Sequence, residues 1–362
     1  MTTATTARGV AFLVLVCVAA LAGVSENLGA AELDVVKIPG TTLRGNPLGD
    51  PAERRVAVFA PEGKKADAPM AMVIYLPGWG GSSEDAIAQG SGAWFGRVLD
   101  HLAADGLPLR LAVVDGRSRY GGSQFLNSSA TGNYADYVAD EILPALKERY
   151  AFPSGPLSCL IAGHSSGGYG ALMLAMARPA QFAAVVALSP DSDFETTHKP
   201  LATQPSVRAI TRAGVDAATA PVGAFHLPDD GLARLIMGLC ANYAPAAGQP
   251  GHFEWLYDAG GQWRAEAWRR WLDLDPLNVV RLRADAFAPS QRIYLDGAAH
   301  DEFGANIGAR KIHEVLIERS SPVTFYEPPD HHGDHLPERL ERGLLWVFGK
   351  PVRDIAPISS PR

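Results

Sequence analysis

Ile161-Ala162-Gly163-His164-Ser165-Ser166-Gly167-Gly168 reads as a strand that turns abruptly into a helix. Ser158–Ala162 before it is an apolar strand candidate, and Gly167–Ala177 after it is a helix built from small residues. Gly163 to Gly167 between them is a Gly-x-Ser-x-Gly pentapeptide, informative because of that strand–turn–helix setting. The reason is steric. A serine on such a tight bend needs a strained backbone, and only small residues two places to either side let strand and helix approach that closely. The bend pushes the Ser165 hydroxyl outwards over the helix N-terminus, where the amide of Ser166 points at any oxyanion that forms. Ser166 itself stands one place too late for the turn. Ser165 is therefore the candidate nucleophile.

Outward from this turn the chain alternates between strands and helices. Glu32–Ile38, Arg55–Ala60, Met70–Leu76, Leu111–Val114, Phe182–Leu188, Arg292–Leu295 and Pro322–Tyr326 carry strand patterns. Gly92–Ala104, Tyr134–Tyr150, Asn306–Arg319 and Leu336–Phe348 carry helical spacing. Short, wholly apolar strands of this kind suit a mostly parallel sheet covered on both faces. The alternation breaks after Ser189 and resumes near Pro289. The hundred residues between are irregular and read as a cap-like insertion, about 190–289, within one domain spanning 31–350, followed by a tail at 351–362.

The 362 residues are 47% apolar and 20% charged, which excludes a largely disordered chain. The net charge of −7 without a long basic run argues against a nucleic-acid partner. Gly9–Val24 is an apolar run preceded by Arg8 and followed by Gly29-Ala30-Ala31. It is shorter than the roughly 20 residues of a spanning helix, and residues 1–30 read as a signal peptide. The mature chain is then expected to be secreted or periplasmic, with no stable membrane span. Cys159 and Cys240 would remain, either bridged in an oxidising compartment or, as the central-strand position of Cys159 suggests, as buried thiols.

A serine hydroxyl needs a base. In α/β-hydrolases the chain order is serine, acid, histidine, which directs attention to Pro329-Asp330-His331-His332-Gly333-Asp334-His335, between the last strand and the last helix. His335 is the predicted base. The acid should follow the preceding strand, where Asp296, Asp301 and Glu302 compete. Asp301 is the predicted one, with Glu302 next and Asp296 as a turn cap. The loop Pro77-Gly78-Trp79-Gly80-Gly81 follows the third strand, so the amide of Trp79, or of Gly80, is the second oxyanion donor expected beside that of Ser166.

With these residues in place, the chain resembles the esterase D family of α/β-hydrolases, which includes the antigen 85 mycolyltransferases, S-formylglutathione hydrolases and feruloyl esterases. The resemblance rests on Arg54–Pro61, Leu76–Gly81, Asn127–Tyr137 running into Glu141–Pro144, Gly163–Gly168 and Gly333-Asp334-His335. It implies an α/β-hydrolase fold, with Ser165, Asp301 and His335 as a triad, the amides of Trp79 and Ser166 as the oxyanion hole, and no cofactor. Pro77 departs from the His or Asp that often precedes the glycine of the oxyanion loop. The insertion matches weakly, apart from Trp271–Pro276.

The expected activity is hydrolysis of a carboxylic ester through an acyl-enzyme, on a small-molecule, glycan or lipid ester. Transfer of the acyl group to an alcohol, as in the mycolyltransferases, is the neighbouring alternative. A non-catalytic binding protein on the same scaffold and a metal-dependent hydrolase using His331, His332 and His335 are the others. Phe253, Trp255, Leu256, Tyr257, Trp263, Trp268 and Trp271 form an aromatic cluster in the insertion, either lining an acyl pocket or filling a core.

Overall fold

The computed structural model describes residues 31–283 and 285–352; the predicted signal peptide and most of the tail lie outside them. Eight strands form one sheet: β1 (Glu32–Ile38), β2 (Arg54–Ala60), β3 (Ala71–Leu76), β4 (Leu109–Val113), β5 (Cys159–His164), β6 (Ala184–Leu188), β7 (Arg292–Asp296) and β8 (Val323–Tyr326). Their spatial order is β1-β2-β4-β3-β5-β6-β7-β8. β1 and β2 pair antiparallel, and β2 meets β4 antiparallel. From β4 to β8 every pairing is parallel.

The two-residue period of the central strands sorts their side chains between two cores. Met72, Ile74 and Leu76 of β3, with Cys159 and Ile161 of β5, join one buried cluster. Ala71, Val73 and Tyr75, with Leu160 and Ala162, join the other. Both faces are covered, which is why these strands are apolar throughout. On the second face lie α1 (Trp94–Ala104) and the final helix, through Val98, Leu99, Leu102, Leu340 and Leu344. The first face holds the helix that follows β5, α2 (Ser166–Ala177), and the helical run 134–149. That run contains a π-helical stretch at Tyr137–Ile142, which sequence spacing did not suggest.

The segment between β6 and β7 is helical, and its longest helix is α3 (Gly231–Tyr243). It builds a third core with Tyr120 and Ala130 of the loop after β4 and Tyr169 of α2. Trp255, Leu256, Tyr257, Trp268 and Trp271 are buried in that core. The aromatic cluster is therefore packing material that holds the insertion together, and the pocket reading does not apply to these residues. Cys159 and Cys240 are free, buried thiols in separate cores. Burial pushes the Cys159 thiol up to about 12.

Candidate active site

The serine turn has the geometry its sequence demanded. Ser165 has φ 56° and ψ −122°, a conformation that costs a non-glycine residue energy. A Cβ at Gly163 would collide with the carbonyl of Gly167, and one at Gly167 with the carbonyl of Leu76. Both glycines are thus required for strand β5 to fold back against α2. The Ser165 amide donates to Leu188 O (2.9 Å), which ties the turn to the end of β6. Among the described residues the Ser165 hydroxyl makes no direct hydrogen bond, and the bond from such a group to its base often tightens only when substrate is bound.

The loop after β3 lies against this turn. A Cβ at Gly78 would be 3.4 Å from the Cβ of Ser165. The Gly80 amide donates to Gly121 O (3.2 Å) and the Gly81 amide to Gly78 O. Gly80 is thereby committed elsewhere. The amides of Trp79 and Ser166 find no acceptor among the described residues, leaving two donors for an incoming anion. The indole of Trp79 packs against Gly121, Gly122 and, on α3, Gly238, where any Cβ would strike it.

The histidines differ from expectation. His335 does not meet Asp301. It is the N-cap of α5, the helix Leu336–Val347, α4 being Ala305–Glu318, and it has a left-handed φ of 49°. Its Nδ1 donates to Asp330 Oδ1 (2.9 Å), and the side chain is 49% exposed. The partner of Asp301 is His332, whose Nδ1 donates to Asp301 Oδ2 at 2.7 Å. The physical cause of the difference lies in Leu336-Pro337. A proline in the first turn fixes the helix start, so His335 belongs to the helix end and its ring is carried outwards.

His332 is held from three directions. Its carbonyl accepts from His164 Nε2 (2.9 Å) and from Arg339 Nη1 (3.1 Å). Its amide donates to Glu302 Oε2 (3.1 Å). The rings of His164 and His332 lie 4.7 Å apart, and Phe303 meets the His332 ring edge-on. Because His164 is the neighbour of Ser165, this contact sets the His332 loop against the serine turn. Burial, then the charges of His332 and Arg339, hold His164 well below its ordinary value. It is neutral at pH 7, and its bond to a carbonyl requires the proton on Nε2.

Asp301 has no exposed side-chain surface. Burial alone would raise its carboxyl. The bond from His332 and the amides of Phe303 (3.0 Å) and Ala305 (3.3 Å) outweigh burial and hold it below its ordinary value of 3.8. The carboxylate stays ionised, ready to orient an imidazole and to stabilise its protonated form.

The other acids have separate duties. Asp296 is fully buried and forms a two-point ion pair with Arg339, at 2.9 and 2.8 Å, while capping the Ser189 amide. Glu302 Oε1 also faces His331 Nδ1 at 3.1 Å. His331, His332 and His335 each face a different carboxylate, so they do not converge as a ligand set. Sequence reading named His332 only as one of three loop histidines and a possible metal ligand, and gave no role to the pair that supports its carbonyl, His164 and Arg339. The proline-marked start of α5 was the available signal for the first. Nothing local announced the other two.

An activatable serine, an imidazole backed by a carboxylate and two idle amides can perform acyl transfer, and the surrounding architecture is that of an α/β-hydrolase. The family model described as a putative esterase matches residues 51–330, and the chain belongs to this family of ester hydrolases. No curated protein sequence matches it. Solved structures do. An S-formylglutathione hydrolase from Agrobacterium tumefaciens aligns over 89% of this chain and 96% of its own, at 18% identity and a TM-score of 0.55. Fluorophosphonate-binding serine hydrolase F of Staphylococcus aureus aligns over 90% and 100%, at 14% and 0.54. A ferulic acid esterase from Anaeromyces mucronatus aligns over 90% and 92%, at 14% and 0.51. At such identities these likenesses speak for the fold.

Proposed function

We propose that the chain is an exported serine carboxylic-ester hydrolase in which His332, and not His335, is the base. Ser165 Oγ bonds to the ester carbonyl carbon while its proton passes to His332 Nε2. The carbonyl oxygen becomes an oxyanion facing the amides of Trp79 and Ser166. The intermediate collapses, the bond to the alcohol oxygen breaks, and His332 returns the proton to the leaving alkoxide. Water then attacks the acyl-enzyme by the same route and restores Ser165. Each oxyanion donor in such a hole is worth about 10²–10³ in turnover.

The observation that carries this reading is the 2.7 Å pair between His332 and the unexposed Asp301, with the His332 ring 4.7 Å from that of His164, the residue before Ser165. A connected pair of this kind favours an enzyme over a binding protein on an idle scaffold. Export rests on the signal-like residues 1–30 of the sequence. The test is hydrolysis of p-nitrophenyl acetate by the purified chain, with covalent labelling by a fluorophosphonate probe. Both should vanish in Ser165→Ala. An unlabelled parent protein without ester turnover would end the proposal.

A further inference from the structure

Asp191, in the loop after β6, sets a carboxylate against the side chain of Ser166, the residue whose amide faces the candidate oxyanion site. Its amide lies 3.4 Å from Ser165 O. Its Oδ2 accepts from the hydroxyl of Ser166 (3.1 Å) and from Gln124 Nε2 (3.0 Å). Ser166 is the residue whose amide is available to the oxyanion, so Asp191 is one side chain removed from the reacting atoms.

Its charge has no strong counterion. Among the described residues no lysine or arginine lies within ion-pair distance of Asp191. The closest cationic candidate is His198 Nε2 at 3.8 Å, and burial holds that ring below its ordinary value, so it is neutral at pH 7. The nearby Lys311 is taken by Asp193, and Asp275 is satisfied by the amides of Asp193, Phe194 and Leu277. Asp191 Oδ1 has no protein partner among the described residues, and the side chain keeps 15% of its surface open. Gln124, by contrast, is 1% exposed, and its Oε1 has no donor.

This arrangement carries an electrostatic contradiction. Negative charge develops in the transition state on the oxygen beside Ser166, and a fixed carboxylate next to it opposes that charge in a poorly screened site. The opposition disappears when the substrate brings a positive group to the open oxygen of Asp191. On the esterase reading given above, we propose that Asp191 is the recognition point for a cationic, ammonium-bearing part of the ester substrate. The ammonium would sit on Asp191 Oδ1, with Oδ2 kept in place by Ser166 and Gln124.

Matched ester pairs test this. On the acyl side, the p-nitrophenyl ester of β-alanine is compared with p-nitrophenyl butyrate, its uncharged counterpart of similar shape. On the alcohol side, 4-aminobutyl acetate is compared with pentyl acetate. The charged member of one pair should have the higher kcat/KM by about ten- to a hundredfold, the range of a charge-assisted hydrogen bond. The pair that responds tells which side of the ester carries the charge. In Asp191→Asn the ratio should fall towards one, through loss on the charged ester and a gain on the neutral one, whose oxyanion no longer faces a carboxylate. A parallel loss on both esters would mark Asp191 as merely structural and overturn the inference. So would equal rates for both pairs in the parent protein, a measurement that needs no variant. If neither charged nor neutral esters react and the fluorophosphonate does not label, the esterase reading falls and takes this one with it. Turnover of neutral esters without charge preference removes only the role of Asp191.

Discussion

Replacing His332 by alanine separates the two histidines that could act on Ser165. In the structure the change removes the imidazole that donates to Asp301 and leaves the rest of the loop attached, because Glu302, His164 and Arg339 hold the backbone of residue 332. Asp301 Oδ1 keeps the amides of Phe303 and Ala305, and only Oδ2 loses its donor. An unsatisfied buried acceptor costs about 1–3 kcal/mol, which for a chain of this size lowers the melting temperature by only several degrees. The effect on rate is larger. Loss of a general base removes about 10²–10⁴ in kcat/KM, or roughly 3–5 kcal/mol of transition-state stabilisation. His335→Ala breaks an exposed pair with Asp330, worth about 0.2–1 kcal/mol, and should change kcat/KM by less than about fivefold. The assay is p-nitrophenyl acetate hydrolysis, with the fluorophosphonate labelling rate as an independent measure of serine activation. Thermal melts confirm that both variants are folded. If His335→Ala lost as much activity as His332→Ala, the assignment of the base would be refuted.

Other perturbations follow from the same geometry. The carboxyl of Asp301 lies below its ordinary value of 3.8 in the folded chain, so its stabilisation is present above that pH and lost as pH falls through the folded value. Asp301→Asn should therefore show a smaller drop in urea midpoint between pH 5 and pH 3 than the parent, and a larger or equal drop would contradict the assignment. Gly167→Ala should yield insoluble or strongly destabilised protein because its Cβ has no space, whereas Gly92→Ala, which meets nothing within 4 Å, should stay within about 0.5 kcal/mol of the parent in urea denaturation. Arg339→Met strands the buried Asp296 and should cost about 3–5 kcal/mol; adding Asp296→Asn should recover stability but not rate, since the His332 carbonyl keeps only the bond from His164 and still lacks the one from Arg339. His164→Phe keeps a ring in the turn but deletes one neutral hydrogen bond, and a fall of about two- to tenfold in kcat is expected, with unchanged kinetics as the contrary result.

Much of the fold could be read from local pattern because local pattern causes it. The unbroken apolar run of β3 is the direct result of burial on both faces, and its ends fall within a residue or two of those expected. The serine turn was equally legible, since its two glycines answer a steric demand made within five residues. The insertion was not. Its helices bury their aromatic residues against Tyr120, Ala130 and Tyr169, contacts made with distant parts of the chain that leave no periodic trace nearby. Which histidine meets Asp301 was hidden for a related reason. His331, His332 and His335 stand in one loop, and which ring turns inwards depends on Asp301, Glu302 and Arg339 arriving from other elements.

The bond from Arg339 to the carbonyl of residue 332 has a temporal consequence. Arg339 belongs to α5, so the His332 carbonyl gains this bond only after residue 339 has been made and α5 has docked. A nascent chain, or one truncated ahead of this arginine, would display the serine bend on a finished sheet yet lack this anchor for the ring that, on the proposed mechanism, activates it.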